Sequence, residues 1–256
     1  MDGDITPWLP LSSDSPSSST SRSTNSEIPE LIFHTMLLFE DLSKDGSADD
    51  RKMYPLDAHA DLPTAKAFAR DALRTLGYQP SDFEFYHVRG NDADAVESHM
   101  EDPLFTDGIL VHARRAGSHD FFVKVIPTFN IEGLPTDPNN RSDLKLPQGT
   151  DCLHYVIQTK INYNADRSGC EQQFDLEGVF VHRRDAYVAA KHCLLGDPFE
   201  KEDFVEYDDR DDGFLEGEWP YGEDVVVHAV LPTGENLKVS VSTTLQTQEL
   251  HGKKSN

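Results

Sequence analysis

An internal repeat limits most strongly what this chain of 256 residues can fold into. Residues 65–89 align with residues 186–210 without a gap, at an offset of 121 positions and with seven identities in 25 positions. An earlier block of the two halves aligns at an offset of 120, and a later block aligns at 116. The blocks keep their order, and the offsets change only at loops. The sequence therefore predicts two copies of one fold.

Each half combines several strand patterns with one helix. Apolar residues recur at helical spacing between Ala65 and Leu76, and Asp61 and Gly77 supply the start and stop signals. Residues 186–194 repeat the stripe in the second half. The remaining apolar segments alternate as strands, and short turns make a hairpin of the last two in each half. We predict an α+β protein with two homologous β-β-α-β-β-β modules, each an antiparallel sheet with one packed helix.

The composition of the chain changes at the boundaries of these modules. Eleven of the sixteen residues from 11 to 26 are Ser or Thr, so this segment cannot bury enough apolar surface to become ordered. We predict a disordered Ser-rich tail (1–29), a first module (30–129), a Pro-rich linker (130–150), a second module (151–245) and a disordered C-terminal tail (246–256). The modules either pair about a pseudo-two-fold axis or remain independent, and the sequence leaves both arrangements open.

The charge of the chain excludes several classes of partner. The formal net charge is −23, whereas general binding to nucleic acid or to anionic lipid requires a positive surface. We therefore expect neither nucleic acid nor a membrane as a partner. There is no apolar run long enough to span a bilayer, the first residues are acidic where a secretory signal is basic, and the three cysteines fit no disulfide framework. These features predict a cytoplasmic or nuclear protein.

An acidic segment suggests how such a protein could act. Ten of the nineteen residues from 200 to 218 are acidic and two are basic. A calcium-loop template fails here, because Arg210 and Trp219 fall where carboxylates are required. We predict a non-catalytic interaction module that binds a basic protein partner through this surface. The candidate interaction residues are Asp208, Asp209, Asp211 and Asp212, together with Trp8 in an apolar part of the tail.

Histidines at matching positions support an alternative function. The earlier block sets His34 beside His154, and the later block sets His112 beside His228. Imidazole is a common metal ligand, so equivalent histidines that converge between paired modules could hold an ion. The candidate ligands are His34, His154 and Glu132, although the sequence gives no direct sign of a metal or another cofactor. The alternative function is thus a small-molecule binder or a metal-assisted enzyme with its site between the modules.

Two resemblances accompany this alternative. The segment Asp61-Leu62-Pro63-Thr64-Ala65-Lys66-Ala67-Phe68, which leads to Leu76-Gly77-Tyr78, resembles the vicinal-oxygen-chelate superfamily. That resemblance implies paired modules with metal-binding histidines on first strands and a carboxylate on a last strand, where this chain has lysines. Gly178-Val179-Phe180-Val181-His182, before an Ala-rich helix, resembles uncharacterised tandem-repeat proteins of filamentous fungi. This second resemblance implies no function.

Catalytic signatures are missing from the sequence. It contains no GxSxG, GxxxxGK[ST], GxGxxG or HExxH motif. Cys193 falls on the apolar stripe of the second helix and is expected to lie in the core. The sequence therefore favours a protein that is not an enzyme, and its catalytic residues, if it has any, are unknown.

Overall fold

The structure is a computed structural model that describes residues 27–41, 51–90, 108–117, 119–169, 171–196, 199–210 and 219–244. Trp8, Asp211 and Asp212 lie outside the described residues, as do nearly all of the predicted N-terminal tail and the whole C-terminal tail. Within the described residues, no helix is long and apolar enough to cross a membrane.

The described chain forms two antiparallel five-stranded sheets of the same topology. The first module contains β1 (Leu31–Asp41), β2 (Arg51–His59), α1 (Leu62–Thr75), β3 (Phe85–Val88), β4 (Ile109–Arg115) and β5 (His119–Phe129). The second contains β6 (His154–Ile161), β7 (Gln172–Phe180), α2 (Arg183–His192), β8 (Glu206–Asp209), β9 (Val225–Val230) and β10 (Asn236–Thr243). The strand orders are β2-β1-β5-β4-β3 and β7-β6-β10-β9-β8. The predicted α+β architecture of two similar modules is confirmed.

The strand registers of the two modules correspond residue by residue. An offset of 121 relates β1, β2, α1 and β3 to their counterparts, and an offset of 116 relates β4 and β5 to theirs. The irregularity between Thr35 and Met36 in the first module recurs between Val156 and Ile157 in the second. The first strands thus also align at 121, so Tyr155 is the counterpart of His34. The predicted equivalence of His34 and His154, at an offset of 120, is wrong by one residue.

The helices follow their sequence signals closely. Asp61 caps α1, because its side chain accepts a hydrogen bond of 2.8 Å from the backbone N–H of Thr64. The chain leaves the helix at Gly77, whose φ of 90° is one that residues with a side chain rarely adopt. Each helix places alanines against its own sheet. These alanines are fully buried, namely Ala65, Ala69 and Ala72 in α1 and Ala186 and Ala190 in α2.

The two sheets pack against each other through the faces that the helices leave uncovered. A third hydrophobic core lies between the modules and contains Ile32, Met36, Met53, Leu134, Leu153, Tyr155, Ile157 and Val181. The rings of the equivalent residues His34 and Tyr155 meet edge to face, with centroids 5.4 Å apart. Contact between counterparts is expected where a pseudo-two-fold axis passes. The modules therefore share a core and are not independent.

The segment between the modules is held closely to both of them. The side chain of Asn130 donates hydrogen bonds to the backbone oxygens of Pro29 and Leu134, each 2.9 Å long, and accepts one from the backbone N–H of Leu134. The Leu134 side chain is buried in the core between the modules. The backbone of Thr136 also donates to the backbone oxygen of Glu27 over 2.7 Å. This segment therefore completes the interface as well as connecting the modules.

The close approach of each helix to its sheet gives a test of the packing. Ala69 and its counterpart Ala190 have no exposed surface, so a larger side chain has no space there. We expect Ala69→Leu or Ala190→Leu to lower the free energy of unfolding by about 1 to 3 kcal/mol, measured by urea denaturation. Ala67→Leu, on the exposed side of α1, is the control and should change it by less than about 0.5 kcal/mol. Equal effects at positions 67 and 69 would contradict the packing described.

Candidate functional site

A cavity of about 460 Å³ lies between the modules. On one side it is lined by residues 51–54 of β2, and on the other by the face of the second sheet formed by β6, β7 and β10. Successive side chains of a strand point to opposite faces, so four consecutive lining residues mean that β2 presents its edge to the cavity. Since β2 is an outer strand of its sheet, this edge has no neighbouring strand in the described sheet.

The cavity combines an apolar floor with polar walls. Met53, Ile157, Ile161 and Phe174 supply the apolar surface. The rest of the lining includes Thr159, Gln172, Ser240 and Ser242 on the strands, together with the segment 220–225. The hydroxyl of Ser240 donates a hydrogen bond of 3.3 Å to the backbone oxygen of Ile157, so it is held in a fixed direction. Such a surface suits a molecule with both an apolar and a polar part.

Charged residues of both signs surround the cavity. Arg51, Lys52 and Lys238 are the cations, and Glu223 and Asp224 are the anions. Arg51 also forms an ion pair with Glu40 of β1, which fixes the position of its guanidinium group. The lining therefore has a small formal excess of positive charge in a chain whose net charge is −23.

A second group of polar residues adjoins the cavity and shares Tyr221 with it. This group, here called the carboxylate cluster, consists of Glu206 and Asp208 on β8, His228 on β9 and Tyr221. Asp208 lies directly opposite His228 in the β8–β9 pairing, and Glu206 lies two residues away on the same face. The Tyr221 hydroxyl is 2.8 Å from Glu206 Oε1 and 2.7 Å from Asp208 Oδ2.

The histidine of the carboxylate cluster is fixed from two directions. Tyr221 stacks on the His228 ring, with centroids 3.9 Å apart and planes inclined by 12°. His228 Nε2 lies 3.2 Å from Asn236 Oδ1, and because an amide oxygen only accepts, Nε2 is the donor. Nδ1 of the same ring has no hydrogen-bond partner among the described residues, and it lies 3.7 Å from Glu206 Oε1. The ring is 6 % exposed.

The hydrogen bonds of the carboxylate cluster also change the pKa of the Tyr221 phenol. The carboxylates of Asp208 and Glu206, together with burial, raise the pKa of Tyr221 above its ordinary value. The phenol therefore keeps its proton at neutral pH and can donate it to a carboxylate oxygen.

The same place in the first module has different chemistry. His112 is the counterpart of His228 and is equally buried, at 6 % exposed. Phe85 and His87 occupy the positions of Glu206 and Asp208, and the His112 ring stacks on Phe122 with centroids 4.3 Å apart. Of the two modules, only the second therefore brings two carboxylates to this histidine.

The histidines selected from the sequence as metal ligands do not converge. His34 is fully buried between the modules, where its Nε2 is hydrogen-bonded to Thr128 Oγ1 over 2.9 Å. His154 is adjacent in sequence to Tyr155 and so lies on the opposite face of its sheet, where burial and the nearby guanidinium group of Arg183 lower its pKa. Glu132 is exposed on the connecting segment. These three residues form no common site.

The acidic interaction residues have specific partners where the structure describes them. Asp208 belongs to the carboxylate cluster, and Asp209 is hydrogen-bonded to the ammonium group of Lys201.

Burial raises the pKa of Cys193 to about 12, and its thiol donates a weak hydrogen bond to Gln158, so it is not a nucleophile at neutral pH.

Sequence reasoning missed Glu206, Tyr221 and the cavity residue Arg51. The alternation of Glu206 with Asp208 was an available signal, because it places both carboxylates on one face of a strand. The approach of Tyr221 had no local signal, since it depends on the path of a loop.

Comparisons of the chain with protein-family models, with curated proteins and with solved structures found no match.

The environment of His34 predicts a pH dependence of stability. Burial lowers the pKa of His34 from 6.5 to about 4, so the unfolded chain binds more protons than the folded chain between these pH values. Stability should therefore fall as the pH decreases through this window. From the two pKa values we expect His34 to account for a loss of about 2 kcal/mol between pH 7 and pH 5.

Urea denaturation of His34→Gln at both pH values tests this expectation. The variant should be less stable at pH 7, but its stability should fall less on acidification than that of the unmodified protein. His192→Gln, which alters an exposed histidine of α2, is the matched control and should leave the pH dependence unchanged. If both variants keep the full pH dependence, His34 is not its source.

Proposed function

We propose that this protein binds a small organic anion with an apolar body in the cavity between its two modules. The single observation that supports this proposal most strongly is the lining of that cavity, which joins an apolar floor to three cationic residues. This develops the small-molecule alternative from the sequence, with the site placed between the modules.

The size and position of the cavity support a ligand of this kind. Pockets for small molecules have volumes of roughly 300 to 1,000 Å³ and occur preferentially where domains meet. The present cavity, of about 460 Å³, falls within that range and is bounded by strands of both modules. An apolar ring or chain would rest mainly on the partly exposed Phe174, beside the nearly buried Met53 and Ile157, and lose contact with water there.

The charges indicate where the anionic group would lie. Lys238 is on β10 beside Ser240, so an ammonium group and strand hydroxyls border the same wall. Arg51 stands on the opposite module and is held by Glu40. A ligand anion between Arg51 and Lys238 would bridge the two modules. In a chain with 46 acidic and 23 basic residues, a lining of three cations and two anions is a local departure from the overall charge.

Binding to a basic protein through the acidic segment stays a prediction. Asp209 is paired with the ammonium group of Lys201, which reduces the charge that it offers to a partner, and Asp208 accepts a hydrogen bond from Tyr221. Trp8, Asp211 and Asp212 lie outside the described residues. A cytoplasmic or nuclear location, an origin of the modules by duplication, and the resemblance to fungal repeat proteins likewise stay predictions.

Anilinonaphthalene sulfonate is a suitable probe, because it joins an aromatic body to an anionic group and fluoresces when it leaves water. We expect the folded protein to bind one equivalent with enhanced, blue-shifted emission. Lys238→Gln should weaken binding about tenfold, since a hydrogen bond to a charged group contributes roughly 1.5 kcal/mol or more. Ser242→Trp should abolish binding by filling the cavity from a half-buried position.

The controls separate this site from general dye binding. Lys145→Gln removes the charge of an exposed lysine on the connecting segment, away from the cavity, and should leave the affinity unchanged. Each variant must also keep its thermal midpoint, because partly unfolded proteins bind the dye without a site. Retained one-to-one binding in folded Ser242→Trp would disprove the proposed location.

A further inference from the structure

We infer that Glu206, Asp208 and His228 bind a divalent transition-metal ion such as Zn²⁺ or Mn²⁺. The inference does not depend on a ligand in the cavity, because it is based on the carboxylate cluster alone. The ligand atoms would be one oxygen from each carboxylate and Nδ1 of His228.

The distances within the cluster fit a common ion. Ligand atoms of the three residues all lie within 4.8 Å of one another, and Glu206 Oε1 is 3.7 Å from His228 Nδ1. Nitrogen and oxygen ligands of a tetrahedral zinc ion lie about 2.1 Å from the metal and therefore about 3.4 Å from one another. Small rotations of the half-exposed Glu206 side chain are enough to shorten the distances between ligand atoms to this value.

The buried histidine is the observation that distinguishes this cluster from an ordinary acidic surface. His228 is more than nine-tenths buried, and its Nδ1 faces the carboxylates without a hydrogen bond among the described residues. Since Nε2 donates to Asn236 Oδ1, the neutral ring has its lone pair on Nδ1. A lone pair directed at two carboxylates is unfavourable unless a proton or a metal ion lies between them, and the two carboxylates supply further ligands only to a metal ion.

Asn236 supports the ring in the way that residues behind a metal ligand commonly do. A ligating histidine usually donates its second N–H to a carbonyl or carboxylate oxygen, which fixes the tautomer and the ring orientation. The Asn236 amide also donates to the backbone oxygen of Gly234 over 3.5 Å, so its oxygen is the atom turned toward His228. The histidine is therefore oriented for coordination before an ion binds.

Tyr221 supplies a single proton to the two carboxylates of the cluster, and Lys238, a strand neighbour with a positive charge, lies opposite His228 in the β9–β10 pairing. Its hydroxyl lies within 2.8 Å of both carboxylates, yet a phenol has only one proton to donate. One of these two close oxygen contacts therefore has no proton of its own. An ion shared by Glu206 and Asp208 would neutralise both carboxylates, while Tyr221 donates to one of them.

The donor atoms indicate the class of metal. Imidazole nitrogen favours Zn²⁺ and related transition metals, while a site with only oxygen ligands suits Ca²⁺ or Mg²⁺. One nitrogen and two carboxylates are a mixed set that zinc or manganese accepts with water at the remaining positions. We therefore expect Zn²⁺ and Mn²⁺ to bind more tightly than Ca²⁺ and Mg²⁺.

The first module provides a matched control for the experiment. His112 has the same position and burial as His228, but Phe85 and His87 replace the two cluster carboxylates and a single carboxylate, Asp120, lies 3.9 Å from its Nε2. The full-length protein, freed of metal by a chelator, would be titrated with Zn²⁺ and with Mn²⁺ by calorimetry. The same titrations would be made on His228→Gln, Asp208→Asn and His112→Gln.

We expect the unmodified protein and His112→Gln to bind one equivalent of Zn²⁺ at this site and to gain several degrees in thermal midpoint at saturation. His228→Gln and Asp208→Asn should each bind at least about tenfold more weakly. Asp208→Asn alters a half-buried residue, so it preserves the test if His228→Gln does not fold. Equal affinity in all four proteins would indicate general binding to acidic groups and would overturn the inference. Failure of both metals to bind the unmodified protein would also overturn it.

Discussion

Each sheet of this protein has two apolar faces but only one helix. The helix covers one face, and the other is apolar enough that exposing it to water would be costly. Packing the uncovered faces together removes both from water at once and creates the core around Met36, Tyr155 and Ile157. The arrangement of the modules, the path of the connecting segment and the position of the cavity all depend on this pairing.

The pairing of the sheets also determines where the cavity lies relative to the carboxylate cluster. The shared core joins the β1–β2 side of one sheet to the β6–β7 side of the other. The cavity lies beside this core, between the edge of β2 and the face that contains β10. Further along the second sheet, β8 and β9 carry the carboxylate cluster. Tyr221 belongs to both places.

The two modules show how one framework can hold different chemistry. At corresponding positions of the outer strands, the first module has Phe85 and His87, and the second has Glu206 and Asp208. The buried histidine is kept in both, at the same exposure. The strand pairings are unchanged by these replacements, because the backbone hydrogen bonds of a sheet do not depend on the side chains of one face.

Sequence reasoning was sufficient for the fold and insufficient for the site, for identifiable reasons. The helices were predictable because Asp61, Gly77 and the alanine stripe act locally. The register of β1 was not predictable. A strand buried on both faces lacks the alternation of polar and apolar residues that would reveal an alignment shifted by one residue. That shift paired His34 with His154 and so selected two histidines that do not converge. Asp208 was selected for its charge, but its partners Tyr221 and His228 come together only through tertiary structure.

Calorimetric unfolding of the full-length protein tests most directly whether the two modules share one core. Because the core between them contains residues from both, we expect a single transition whose calorimetric and van't Hoff enthalpies are equal. Two separate transitions, or a calorimetric enthalpy about twice the van't Hoff value, would mean that the modules unfold independently. That result would contradict the shared core and, with it, the cavity that depends on their pairing.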